Sequence, residues 1–543
     1  MNTFDVVVVG SGAGGAPVAW RLSSAGYKVL LIERGRAYQR SEFDRDEIEW
    51  SRRDRFIPSP QTDPHTRRST DDQRAGITSD GWISTVLGGG TVHMGAYLLR
   101  AHADDAKQAT RLKQAGDVDH TALDWAVPFD DVAAWYADAE KMLGISGAPA
   151  SGVPPLLAHP LSTKVDAAAK QLGLSSTPTP RGILSIPRPE DDRLGCAYRQ
   201  LCASYGCPND AKSSMPATYL RRAQATGNLT VWTESMALRI TRDAATKQAT
   251  GVVVRRIAES RDDEVKAGVV VVAAGALESA RLLLLSDPAF NPNRQVGKHL
   301  WFSLFVEVNG FFAKDKHADV ADLMTGSPFI NRSIRADGRL SSTEAAAAKV
   351  DRTGMFQVSF VHDNPIHRAE RLATESKGQG RLLWGRALKA ELLKHFREGR
   401  DVVLEAFGES APHAGTSVDL DPEVRDRFDL PVARLTTKHH ARDRRVADQL
   451  ARDGTALLTA MGADDVKVVR SLSETMVLQG GTCRFGDDPT TSVTNRDGHL
   501  HETTNLYVTD GGSLPSSLAV PTTLTIVANS LRIAERIVAR HPR

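Results

Sequence analysis

Residues 4–35 read FDVVVVGSGAGGAPVAWRLSSAGYKVLLIERG, and this stretch decides how the rest of the chain is organised. Phe4 to Val9 is a short, β-branched, apolar run, the pattern of a parallel strand buried on both faces. It leads straight into Gly10-Ser11-Gly12-Ala13-Gly14-Gly15, where Gly10, Gly12 and Gly15 fit G-x-G-x-x-G. In that pattern one glycine makes the tight turn, one lets a pyrophosphate touch the backbone, and one permits close helix–strand packing. A helix from about Ala16 to Ala25 then points its free amides at the phosphates, and Gly26 stops it. Lys28–Ile32 is the second strand, and Glu33 at its end can accept both ribose hydroxyls. A lone glycine fingerprint also suits a turn with only a packing role. Strand, fingerprint, helix, strand and acid in register point to a dinucleotide site.

The chain has 543 residues, too many for one simple core, so two domains are expected. Its net charge of +2 gives no reason to expect nucleic acid or an acidic polymer as partner. No apolar run approaches the roughly 20 residues of a membrane span. The first strand starts at Phe4, leaving no room for a signal peptide, and a cytoplasmic location is the expectation. A reducing compartment argues against a disulfide framework among Cys196, Cys202, Cys207 and Cys483.

Residues 40–80 are rich in charge, Pro, Ser and Asp and read as a long surface excursion, of the kind that often covers a cofactor. It ends at Leu87-Gly88-Gly89-Gly90-Thr91-Val92-His93-Met94-Gly95, whose consecutive glycines let the backbone approach something flat or charged. Residues 120–147 read as a helical connector and 150–193 as Pro-rich and irregular. Val252–Ile257 and Gly268–Ala273 read as strands. The second ends in Ala274-Gly275-Ala276 before a helix, repeating the strand–turn–helix logic of the N-terminus. From about Leu300, Trp301–Phe312, Gly354–Val361 and Val402–Phe407 alternate as half-buried antiparallel strands do. Arg381–Arg400 predicts a basic helix with Trp384, Leu388, Leu392 and Phe396 on one face, packed on the sheet or offered to a membrane surface or partner. Glu344–Lys349 reads as a short helix or linker.

A second strong signal lies at 480–533: Gly480-Gly481-Thr482-Cys483-Arg484-Phe485-Gly486, then Asn505-Leu506-Tyr507-Val508-Thr509-Asp510-Gly511-Gly512. Leu506–Val508 reads as a buried strand with Asp510 at its end, placed to contact a cofactor. Pro521-Thr522-Thr523-Leu524-Thr525-Ile526 opens a long apolar helix to about Ala539. Its N-terminus would carry partial positive charge towards an anionic reduced ring.

Together these pieces resemble the glucose–methanol–choline (GMC) oxidoreductase family, nearest to its bacterial pyranose or glycoside oxidase and gluconate-dehydrogenase-like branch. The resemblance rests on the N-terminal fingerprint, GGGTVHMG, VVVVAAGALESARLLL, and GTCRFG…NLYVTDGGSLP…PTTLTIVANSLRIAERI. It implies FAD, and oxidation of an alcohol group of a sugar, glycoside or polyol by hydride transfer to flavin N5, with oxygen or a carrier as acceptor. The expected fold is a discontinuous α/β Rossmann-like FAD-binding domain (1–100, 194–299 and 471–543), a connector and cap (101–193), and an antiparallel-sheet, α+β substrate-binding domain (300–470). Gly10, Gly12, Gly15, Glu33 and Arg34 are expected to hold the ADP half. Gly89, Gly90, Thr91, His93, Met94, Ala237, Ala274, Gly275, Asp510, Gly511, Thr522 and Thr523 complete the expected cofactor contacts. A homo-oligomer or a small partner subunit is a further possibility.

The chain departs from the family where the chemistry is done. The positions that carry a base and a second His or Asn in the family align with Leu478 and Pro521, neither of which can take or share a proton. A one-residue slip brings in Gln479 and Thr522, which hydrogen-bond but are poor bases. Gln479, Thr522 and His93 are therefore the first candidates, and His439, His440, His499 and His501 lie in flanking segments. A lyase, isomerase or flavin-binding partner stays open as the alternative. By the same resemblance, His93 occupies the place of a histidine that can bond covalently to flavin; a noncovalent contact is the other reading. Cys196, Cys202 and Cys207 match a cysteine segment that can hold an iron–sulfur cluster, or are simply small buried thiols.

Overall fold

The computed structural model describes all residues except 1, 45, 53–54, 82, 199–201, 203, 322–328, 337–349, 351, 361–365, 367, 371, 374–381 and 471–477. The expectation for Glu344–Lys349 falls outside these described residues.

Strands from three distant parts of the chain build one seven-stranded sheet. Its order is Leu229–Trp232, Val29–Ile32, Asn2–Val9, Arg261–Val272, Ala249–Arg256 and Ser235–Arg242, with Leu506–Val508 also on Arg261–Val272. The first four strands and Leu506–Val508 pair in parallel, while Ala249–Arg256 and Ser235–Arg242 add an antiparallel edge. Val6 and Val8 pack on one face with the helices Gly15–Ser24 and Thr523–Arg540, and Val7 and Val9 pack on the other with Leu277 and Leu283. Burial on both faces is why this strand is an unbroken valine run rather than an alternation.

A second sheet has six antiparallel strands in the order Asp465–Arg470, Ser303–Ala313, Gly399–Glu409, Gly354–Phe360, Phe329–Arg335 and Ser175–Pro178. Val306, Val308, Phe356, Val358, Leu404 and Ala406 of this sheet pack in one core with Val446, Leu450 and Leu457 of the helix Ala441–Ala460. The 40–80 surface excursion and the 150–193 segment read as irregular each contain regular elements. Within 150–193, a helix runs over Ser162–Gln171 and the strand Ser175–Pro178 closes the six-stranded sheet. Within 40–80, His65–Arg68 and Gly76–Thr78 join Pro431–Thr436 and Ser417–Arg425 in a four-stranded sheet. Both strands are polar and short, so only their partners, far away in sequence, define them.

Phe129–Leu143 forms the connector helix. Gly385–Leu393 is helical, with Leu388, Leu392 and Phe396 half-buried. Trp384 stands at its cap, 74% exposed, and leaves the face it was expected to share. No helix among the described residues is long and apolar enough to cross a membrane.

Candidate active site

The C-terminal ends of the parallel strands open into a groove of about 1400 Å³, open solvent included. That is where an open α/β sheet binds its ligand. Gly10 sits at φ +97°, and a Cβ there would meet the Ala273 carbonyl oxygen at 2.3 Å. A Cβ on Gly15 would fall 1.9 Å from the Gly10 oxygen, so this glycine presses the helix Gly15–Ser24 onto the turn. Gly12 is different, for nothing lies within 4 Å of the same probe position. It faces open groove, where a phosphate can approach the backbone.

Glu33 lines the groove and is buried. Its Oε2 accepts from the Ser11 hydroxyl and amide, and its Oε1 accepts from the Gly35 amide at 2.7 Å. Burial pushes its carboxyl above the ordinary range, against the lowering effect of these bonds and of Arg34. Each carboxylate oxygen has further acceptor capacity for a ribose hydroxyl. Arg34 lines the groove beside it and pairs with Asp63 at 2.9 Å, fastening the 40–80 excursion to the ADP end.

Of the residues expected at the cofactor, Gly10, Gly12, Glu33, Arg34, Gly89, Gly90, Ala237, Ala274, Gly275, Asp510, Gly511, Thr522 and Thr523 line this one groove, as does Gln479. Asp510 is committed to the protein. Its carboxylate accepts from the Gly275 and Gly512 amides at 2.9 and 2.7 Å and from the Ser279 hydroxyl, holding two turns together at the groove wall. Thr522 precedes the 18-residue helix Thr523–Arg540; its Oγ1 is buried and has no hydrogen-bond partner among the described residues. An orphaned buried hydroxyl on the wall of a ligand groove suits a group the ligand supplies. The open Gly12, the acceptor pair of Glu33 and this hydroxyl all fit an FAD laid along the groove.

Gly15, Thr91, His93 and Met94, also expected at the cofactor, do not line this groove. Thr91 donates to the Gly88 oxygen and accepts from the Met215 amide, which fixes the glycine loop. His93 stacks on Phe56, with ring planes 7° apart and centroids 5.3 Å apart, and its Nε2 bonds the Ser84 hydroxyl at 2.8 Å. Ser84, not His93, reaches the groove. Burial, then Lys212, lowers His93 to about 4, so the ring is neutral. Met94 packs both on the main core and on a small cluster of Ala96, Leu156, Ile183 and Ala211, against which Cys196, Cys202 and Cys207 also lie.

None of the four flanking histidines lines this groove. His440 caps the helix Ala441–Ala460, His499 bonds the Leu500 carbonyl, and His501 bonds Ser492. His439 lines a different cavity beside Trp301 and Ser410. Cys196, Cys202 and Cys207 are free thiols, and burial pushes Cys196 up to about 11. Among the described residues no group of three or more His, Cys, Asp or Glu could hold a metal ion.

Sequence reasoning did not single out Ser11. Its hydroxyl donates to Glu33 and accepts from the Gly88 amide at 2.7 Å, joining the first glycine turn to the second. Its place inside the fingerprint was the available signal.

Comparison with known proteins agrees with this geometry. The profile for GMC oxidoreductase matches residues 67–303 and 412–530, and that for an NAD(P)-binding Rossmann-like domain matches 8–39. The 2-methyl-1,2-propanediol dehydrogenase of Mycolicibacterium austroafricanum is 27% identical, covering 99% of this chain and 95% of its own. The paromamine 6'-oxidase of Streptomyces fradiae is 28% identical, covering 99% and 93%. An FAD-dependent oxidoreductase from Chaetomium thermophilum shares the fold with a TM-score of 0.64 at 14% identity, covering 99% of each chain.

Proposed function

The chain belongs to the GMC oxidoreductase family, is an FAD-dependent oxidoreductase acting on alcohol groups and, we propose, takes a sugar, glycoside or polyol as its substrate. The observation that carries the reading is that Gly12, Glu33 and Thr522, whose buried hydroxyl has no partner among the described residues, line one groove. Relatives named for 2-methyl-1,2-propanediol and for paromamine support an alcohol donor rich in hydroxyl groups.

When bound, FAD supplies the hydride acceptor at N5 of its ring. The chain's own residues bind and orient. The turn Gly10–Gly14 and the following helix N-terminus would hold the pyrophosphate, while Glu33 accepts from the ribose. The N-terminus of Thr523–Arg540 would favour negative charge on the pyrimidine edge. Gln479 and Thr522 would hydrogen-bond the substrate or the ring rather than serve as bases.

Single-turnover product analysis tests this reading. Holoprotein incubated without oxygen with each of a panel of sugars, glycosides and polyols should release one carbonyl product per flavin, found by mass spectrometry. A panel that yields no oxidised product would overturn the substrate class.

A further inference from the structure

Beyond the groove, the six-stranded sheet turns a second face towards the cofactor domain, and its side chains change character in rows. Cross-strand register sets Phe305 opposite Phe407 and Phe407 opposite Met355. In the next row Glu307 lies opposite Glu405, and Glu405 opposite Gln357. The aromatic row belongs to the apolar cluster that also takes in Met94, Tyr97 and Leu478, and Leu478 reaches the groove.

Tyr97 donates to Glu405 Oε2 at 2.8 Å and shares a 3.1 Å hydrogen bond with Ser359. The Arg181 guanidinium lies 4.1 Å from the centre of the Tyr97 ring. Ala96, buried at φ +60°, turns the chain so that Tyr97 points at the sheet. A non-glycine residue held in that region marks a constrained, often functional, position. Tyr97, Ser359 and Glu405 all keep solvent-accessible surface. Burial nonetheless dominates the electrostatics of Tyr97 and Glu405. Phe305 and Leu478, packed on the same apolar cluster as Tyr97, are half-buried.

Alcohol oxidation needs an acceptor for the hydroxyl proton as the hydride leaves, and Leu478 and Pro521 supply none. We propose that Glu405 accepts the alcohol proton, with Tyr97 holding its carboxylate in position. This rests on the alcohol-oxidation reading above. The C–H bond breaks with its electron pair going to FAD, the O–H bond breaks with its proton going to Glu405, and a C=O bond forms. The substrate loses two electrons and FAD gains them.

The groups facing Glu405 are Tyr97, Glu307 and Arg181. Burial and the like charge of Glu307 raise it, while the Tyr97 hydrogen bond and Arg181 lower it. A raised carboxyl lies nearer neutral pH, where a base works best.

The test uses holoprotein. Glu405→Gln should retain FAD, dithionite reduction and substrate affinity by calorimetry, while flavin reduction by the alcohol slows about 100-fold or more. Tyr97→Phe removes a bond that favours the carboxylate, so the pH midpoint of reduction should move to alkaline. Glu307→Gln removes a like charge, so it should move to acid. Independently of turnover, infrared difference spectra should show a carboxylic-acid band that titrates in wild type and is missing in Glu405→Gln. Near-wild-type reduction in Glu405→Gln, or unmoved midpoints in the other two variants, would overturn the proposal alone. A wild type whose flavin no alcohol reduces would overturn the alcohol-oxidation reading and the proposal with it.

Discussion

The hydroxyl of Ser11 accepts a 2.7 Å hydrogen bond from the amide of Gly88 while donating to Glu33, so one side chain locks two glycine turns that lie far apart in sequence. Ser11→Ala leaves a buried amide without its acceptor and a buried carboxylate without one donor. The loss should be about 1–3 kcal/mol of stability. Thermal melts of the apoprotein check it, and FAD affinity should fall at the same time.

Two of the fingerprint glycines should respond differently to alanine. Gly15→Ala places a methyl 1.9 Å from backbone and should not fold to the native state. Gly12→Ala meets nothing in the protein, so its apoprotein should melt like wild type. Its FAD affinity should nevertheless drop about tenfold or more, because the methyl stands where a phosphate approaches the backbone. Parallel melting and equilibrium dialysis separate the two effects.

His93 bonds Ser84 through Nε2, stacks on Phe56 and does not line the groove. FAD should therefore be held without a covalent bond. Acid precipitation should leave the flavin in the supernatant, and a yellow pellet would contradict this.

Asp443 is buried, and desolvation raises it to about 7. A carboxyl raised in the folded state favours folding most at low pH and loses that contribution as pH rises through the folded value. Asp443→Asn keeps an acceptor for the Ala411 amide and does not ionise. Its melting temperature relative to wild type should climb from pH 5 to pH 7.5 and level off above that.

The cofactor half was legible because its physics is local. A strand buried on both faces must be apolar throughout, as Val6–Val9 is, and the turn after it needs glycine at fixed spacing. The groove likewise collects Ala274, Gly275, Asp510 and Thr522, each marked by a strand end or a helix start. The free amides sit at those same places.

What escaped depends on register between distant strands. Glu307, Glu405 and Gln357 carry no common motif and meet only when three strands pair. Ser175–Pro178 has no alternation to mark it as an edge strand and takes its form from Phe329–Arg335. A strand end marks Asp510 as an expected cofactor contact, but the three donors that occupy its carboxylate come from elements no spacing rule connects.

The most direct measurement mixes holoprotein with sugars, glycosides and polyols in the absence of oxygen and follows the visible flavin band. The account predicts that at least one compound bleaches it, although Leu478 and Pro521, expected from the resemblance at the proton-transfer positions, can take no proton. A band that dithionite bleaches and no alcohol does would contradict it.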